Sequence, residues 1–168
     1  MIKKALKSKK GISLMEILVG SMLFGLVVMT VASVISPMIM AFRRANDLAE
    51  YNLILDNVGN LLTSEMAQAS DITGDLNTLV MTIETQPTIV SYSVQDGMLM
   101  RSLNIDDIII SESHVFPPGF YRSQSISFTI NGSNSPKYIV EVTVRSQGRA
   151  TIGGEISRDY AVNPIMIK

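Results

Sequence analysis

Residues 9–18 read Lys9-Lys10-Gly11-Ile12-Ser13-Leu14-Met15-Glu16-Ile17-Leu18. A basic tail, a glycine and a lone acid lead into the stretch from Ile17 to Phe42, 26 residues without one charged side chain. As a helix this run measures about 39 Å at ~1.5 Å per residue, against a hydrocarbon core of ~30 Å. It is long enough to span a membrane with tilt. The leader holds Lys3, Lys4, Lys7, Lys9 and Lys10 and no acid, whereas only Arg43 and Arg44 close the run at its far end. The heavier cluster keeps the leader in the cytoplasm and sends the C-terminal part outward. A secretory signal would have a shorter apolar region ending in a small-residue cleavage site across the membrane. Ser33-Val34-Ile35, the nearest approach to such a site, lies inside an apolar run that continues beyond it.

Each part of the Gly11-to-Glu16 stretch has a physical reading. Glycine lets backbone approach a protease closely, and Gly11 stands at the cytoplasmic edge of the span, within reach of a membrane-embedded peptidase. An ionised glutamate costs ~2.5–3.5 kcal/mol at the centre of a membrane helix and less at its edge, so Glu16 needs a partner. Cleavage after Gly11 would create one, because the new α-amine of Ile12 is a cation four residues before Glu16. The pair could form within one chain or between neighbours.

At these residues the sequence resembles the class III signal peptides of type IV prepilins, in which a basic leader ending in glycine precedes a Ser-Leu-x-Glu helix. The resemblance covers about 30 residues. It implies removal of residues 1–11 by a prepilin peptidase, N-methylation of the mature Ile12, and use of Glu16 to align each incoming subunit with one already in a filament. Ile12 departs from the family pattern, where phenylalanine or methionine is commonest. The alternative is an uncleaved signal anchor carrying an extracytoplasmic binding or sensor domain, in which Glu16 merely snorkels to the interface.

Beyond the arginines the apolar pattern changes. Leu48, Tyr51, Leu55, Val58 and Leu62 recur at three- and four-residue intervals, the mark of an amphipathic helix, with Asp47, Glu50, Asp56 and Asn60 on its other faces. The membrane helix is therefore expected to continue into water, about 55 residues in all, and to lay one stripe on a folded domain. Pro37 lacks a backbone donor and crowds the preceding turn, so a kink or local unwinding is expected just before it. Gly20, Gly25 and Gly59 are either weak points or places of close packing.

After Ser70 the helical period gives way to alternating Thr, Ile, Val and Ser. Strands are expected over residues 78–85, 88–95, 98–103, 107–111, 125–131 and 137–146. Asp96-Gly97 between two alternating runs is the strongest hairpin signal, because a two-residue turn needs positive φ. Asn131 to Pro136 forms a second turn, and Phe116-Pro117-Pro118-Gly119 a connecting loop. From Gly148 onward, with Gly153-Gly154 and Pro164, the chain is too irregular to assign. The hairpin Val90-Ser91-Tyr92-Ser93-Val94-Gln95-Asp96-Gly97-Met98-Leu99-Met100-Arg101, with its tyrosine, tight turn, leucine and arginine, resembles that of J-type minor pseudopilins and related minor pilins.

From Ala45 to Lys168 there are seven basic and fourteen acidic residues, so a nucleic-acid or phosphate surface is not indicated. Cysteine is absent, which removes disulfides, thiolate nucleophiles and Cys-ligated metals. His114 is the only histidine. Asp106-Asp107 with Glu112 lacks the spacing and glycine of an oxygen-ligand loop and reads as a solvated strand edge. Gly148 and Gly153-Gly154 match no phosphate-cradling loop. Met15, Met22, Met29, Met38 and Met40 read as adaptable helix packing. No catalytic residue, metal site or cofactor is expected.

The expected architecture is α+β and pilin-like: residues 1–11 a leader peptide, 12–43 a transmembrane and assembly half-helix, and 44–168 an extracytoplasmic domain with an antiparallel sheet. The resemblance implies a structural subunit, a minor one, of a type IV pilus or pseudopilus. Its partners would be the prepilin peptidase, other pilin or pseudopilin subunits, an inner-membrane assembly platform, and membrane lipid before assembly. It would move from the cytoplasmic membrane into an extracellular or periplasmic filament.

Overall fold

The computed structural model describes residues 14–83, 88–106, 108–134, 137–146 and 154–164. Its secondary structure is α+β: one long α-helix, α1 (Leu14–Met66), followed by an antiparallel five-stranded sheet and a three-stranded sheet. The chain divides between Arg43 and Arg44 into two compact units.

In the first unit the described residues are all helical, and every one is exposed. The reason is composition: residues 17–42 are apolar around the whole circumference, so no face is distinguished as a core face. The helix is unbroken through Pro37. Because proline has no N–H, the carbonyl four residues earlier, at Ser33, loses its helical partner there.

The second unit is built on the outer turns of α1. Tyr51, Ile54, Leu55, Val58, Gly59, Leu62 and Met66 are buried, at the three- and four-residue spacing of one helical face. Leu48, expected on that stripe, is 41% exposed. The face begins one turn later than the pattern suggested.

The first sheet runs β1 (Asp71–Asp75), β2 (Thr78–Ile83), β3 (Thr88–Gln95), β4 (Met98–Ile105) and β5 (Ile108–His114) in sequential antiparallel order. The second is β6 (Gln124–Asn134), β7 (Lys137–Ser146) and β8 (Glu155–Val162). One core cluster unites α1 with both sheets, through Leu79, Val90 and Tyr92 of the first and Phe128, Val140 and Val142 of the second.

Turn chemistry sets the registers. Gln95 opposes Met98 across Asp96-Gly97, whose φ values are 52° and 76°, the positive pair that a two-residue turn demands. The β1–β2 turn uses Asn77 at φ 57°. Its N–H donates to Phe128 O at 2.7 Å, and its Oδ1 accepts the Phe128 N–H at 2.9 Å. Ile126 N–H donates to Gly97 O at 2.8 Å. Two turns of the first sheet thus grip the first strand of the second. Tyr121 closes the Pro117-Pro118 loop: its Oη accepts the Leu99 N–H at 3.0 Å, and its ring meets Phe116 and Phe120 edge-on.

Several boundaries differ from expectation. β4 runs two residues longer, to Ile105, and β5 lies over Ile108–His114 rather than ending at Ser111. β6 continues to Asn134 with a register shift between Asn131 and Asn134, so the turn anticipated from Asn131 starts later. Two strands, β1 and β8, were not anticipated. Glu84, Thr85, Asp107, Ser135, Pro136, Gly148 and Gly153 lie outside the described residues.

Candidate assembly site

Glu16 sits in the first turn of α1, exposed and without a hydrogen bond or ion pair among the described residues. Gly11 and Ile12, the expected cleavage and methylation positions, lie outside the described residues. The side chains that follow Glu16 form an uninterrupted apolar surface: Phe24 is 71% exposed, Met29 77% and Phe42 75%. Three of its four hydroxyls turn back onto the helix. Ser21 Oγ donates to Leu18 O at 2.8 Å, Thr30 Oγ1 lies within 2.9 Å of Leu26 O and Val27 O, and Ser33 Oγ donates to Thr30 O at 2.7 Å. Such back-bonding spends each donor inside its own helix, which is what a low-dielectric surrounding requires. Gly20 and Gly25 have open space where a Cβ would stand. This helix is long and apolar enough to cross a membrane.

In the second unit three acids on α1 meet three arginines from separate elements. Glu50 accepts from Arg122 Nη1 at 2.7 Å. Arg122 follows the 3-10 turn at Pro118–Phe120 and has a left-handed φ of 45°. Asp56 pairs with Arg158 of β8, whose Nη2 also donates to Asn52 Oδ1 at 2.9 Å. Glu65 faces Arg101 of β4 at 3.5 Å. Beside Arg158, Tyr160 donates its Oη to Leu55 O at 2.8 Å and lays its ring over Gly59. A Cβ at Gly59 would stand 2.2 Å from that ring, so this glycine serves close packing.

The tyrosine and arginine of the β3–β4 hairpin come together. Tyr92 and Arg101 are cross-strand partners, and Arg101 Nε donates to Tyr92 Oη at 3.1 Å. Burial raises the Tyr92 phenol well above the usual tyrosine range, with the Glu65 carboxylate adding to the shift. Glu65 Oε2 is buried and meets no hydrogen-bond partner. The trio ties the last turn of α1 to the hairpin. None of the three acid–arginine pairings was legible in the sequence, where Glu50 and Asp56 read only as lying on the helix's other faces. The paired residues lie 36 to 102 residues apart, and no local pattern announces them.

His114 ends β5 on the surface. No cluster of three potential metal-ligating side chains occurs among the described residues. Beside the Glu50–Arg122 pair lies a hollow of about 180 Å³, lined by Asn46, Leu53 and Phe120 as well, smaller than the ~300–1,000 Å³ typical of ligand pockets. Comparison with protein-family models, with curated proteins and with solved structures finds no match for this chain.

Proposed function

We propose that the chain is a structural subunit of a type IV pilus or pseudopilus, held in the cytoplasmic membrane by residues 12–43 and then assembled through the same segment into a filament. The observation that carries this reading is the helix beginning beside Glu16. It is apolar on every side, three of its four hydroxyls are bonded within the helix, and it leads in sequence into a stripe buried by an α+β domain. A surface of that kind is stable in lipid or against like helices, and burying it drives association. The prepilin-like residues Gly11, Ile12 and Glu16 add the chemistry: peptidase cleavage after Gly11 frees the Ile12 amine, and the amine and Glu16 fix the register between subunits. The work done is assembly rather than catalysis, with a place among the minor subunits suggested by the Tyr92–Arg101 hairpin.

Two measurements on envelope-purified protein test this. Intact mass and N-terminal sequencing are expected to find a chain starting at Ile12; a chain starting at Met1 overturns the reading and leaves an uncleaved anchored domain. Glu16→Gln removes the charge at nearly constant volume, leaving insertion and cleavage intact, since the leader lysines still set topology. Assembly is expected to fail, because breaking a buried ion pair costs ~3–5 kcal/mol. The processed variant should accumulate in the membrane and be missing from sheared filaments. Normal incorporation would make Glu16 a bystander.

A further inference from the structure

The five-stranded sheet ends at β5, which pairs with β4 on one side and with no other strand among the described residues. All seven of its residues are exposed, and Ile108, Ile109 and Ile110 keep 67%, 62% and 57% of their surface. Ile108 opposes Ile105 and Ile109 opposes Asn104, so these two neighbours point to opposite faces, and the register then shifts, leaving Ile110 as the extra residue of a bulge before Ser111. The strand therefore offers apolar side chains on both faces beside a row of unpaired backbone groups. Such an edge is a template for another strand, and the bulge at Ile110 confines regular pairing to the residues on either side of it.

What flanks the isoleucines has a single sign. Asp106, in the turn before them, and Glu112, after them, are both exposed, and Asp107 adds a third acid by sequence. This rim discriminates among partners. In an antiparallel pair of two β5 strands centred on the isoleucines, the Asp106 end of each strand meets the Glu112 end of the other. A parallel in-register pair sets each acid against its own copy. Like charges directly opposed across strands are destabilising, so the edge repels its own kind.

The same acids attract cations at both ends of the apolar triplet. We propose that β5 is a docking edge for an extended segment of another protein, apolar at its centre and flanked by Lys or Arg, which adds to the sheet as a sixth strand. Backbone hydrogen bonds supply the pairing, the isoleucines the apolar contact, and the acidic rim the choice of partner. This inference stands whether or not the chain is a filament subunit.

The test uses the full chain in detergent micelles and two synthetic peptides of alternating Thr and Val, one with Lys at both ends and one with Glu. The Lys-ended peptide is expected to slow hydrogen exchange of the β5 amides, and the Glu-ended peptide to bind at least about tenfold more weakly. N-methylation of alternate peptide amides should abolish the protection, which separates strand pairing from loose apolar contact. The combined change Asp106→Asn, Asp107→Asn and Glu112→Gln should narrow the difference between the peptides; asparagine tolerates the positive φ at residue 106. Equal binding of the two peptides to the unaltered chain, or no protection of β5 by the Lys-ended one, overturns the proposal. So does concentration-dependent protection of β5 without peptide, which would assign the edge to a second copy.

Discussion

Residues 14–42 and residues 51–66 belong to one α-helix with one pattern of backbone hydrogen bonds, yet their surfaces obey opposite rules. In the first stretch apolar side chains surround the axis, the hydroxyls of Ser21, Thr30 and Ser33 bond to carbonyls of the helix itself, and two glycines face open space. In the second, one stripe is buried, the acids beside it pair with arginines of the domain, and the glycine lies under a tyrosine ring. A helix that is apolar all round must find lipid or other helices, whereas an amphipathic one can close a water-soluble core. Identical backbone can thus serve two solvents, with the side-chain pattern alone marking where one gives way to the other.

The largest expected effect comes from cutting between them. A chain starting at Arg44 should leave the membrane fraction entirely, remain monomeric without detergent and unfold in one cooperative urea transition, since the core cluster draws only on residues from Tyr51 onward. An aggregated product with no cooperative transition would break the comparison, because the first stretch would then be part of what holds the domain together.

The two kinds of glycine sharpen it. Gly59→Ala places a Cβ 2.2–2.6 Å from Tyr160 ring carbons while that ring is tethered by its hydroxyl to Leu55 O. Overpacking of this kind costs ~1–3 kcal/mol, more than the ~1 kcal/mol gained in helix propensity, so urea unfolding should show a net loss. Gly20→Ala meets nothing within 4 Å, and the domain's midpoint should not move. Equal responses at the two sites would mean that Tyr160 swings away freely.

What the sequence disclosed follows from how locally each feature is encoded. The helix was legible because its period is carried by neighbours three and four residues apart, and the Asp96-Gly97 hairpin because positive φ at two adjacent residues restricts their identity. β1 escaped notice because Asp71-Ile72-Thr73-Gly74-Asp75 has one buried side chain and no alternation. β8 alternates Ile156, Arg158, Tyr160 and Val162 on one face, but two of these reach α1 through polar groups, so the face reads as mixed rather than apolar. Leu48 misled by continuing the period one turn beyond the domain that buries it. Of the candidate site, Glu16 and the extent of the apolar run could be read directly. The acid–arginine pairs could not, since only the fold brings their members together.

A moderate effect is expected where α1 meets the hairpin. Tyr92→Phe removes the acceptor of Arg101 Nε and should cost about 1 kcal/mol, the usual net value of a hydrogen bond. It should also change the alkaline response. Burial raises the phenols of Tyr92, Tyr121 and Tyr160, so the folded protein keeps protons that the unfolded chain begins to release near pH ~10. Below that pH both states are protonated and these groups contribute no slope; above it the unfolded state binds fewer protons, and stability falls as pH rises. In Tyr92→Phe one of the three contributions is gone. Its loss of stability above pH ~10, followed by urea unfolding across the range, should be shallower than in the unaltered protein. A parallel loss would show that the Tyr92 phenol does not take part.

The smallest effect tests whether pairing to α1 differs from pairing between strands. Arg145 and Glu155 are cross-strand partners on β7 and β8, 2.8 Å apart, but their side chains are 66% and 44% exposed. Water competes for both charges and salt screens them, so an exposed pair of this kind is worth ~0.2–1 kcal/mol. Glu65, by contrast, is only 23% exposed and keeps one carboxylate oxygen buried; there, removal of Arg101 strands a charge that water reaches poorly. A double-mutant cycle with Arg145→Met and Glu155→Gln should give a coupling near ~0.3 kcal/mol that fades in 1 M salt. The cycle with Arg101→Met and Glu65→Gln should give a larger coupling that survives the salt. If the two couplings match in size and screening, the arginines that face α1 are ordinary surface charges, and the grip of the domain on its helix rests on the apolar stripe from Tyr51 to Met66 alone.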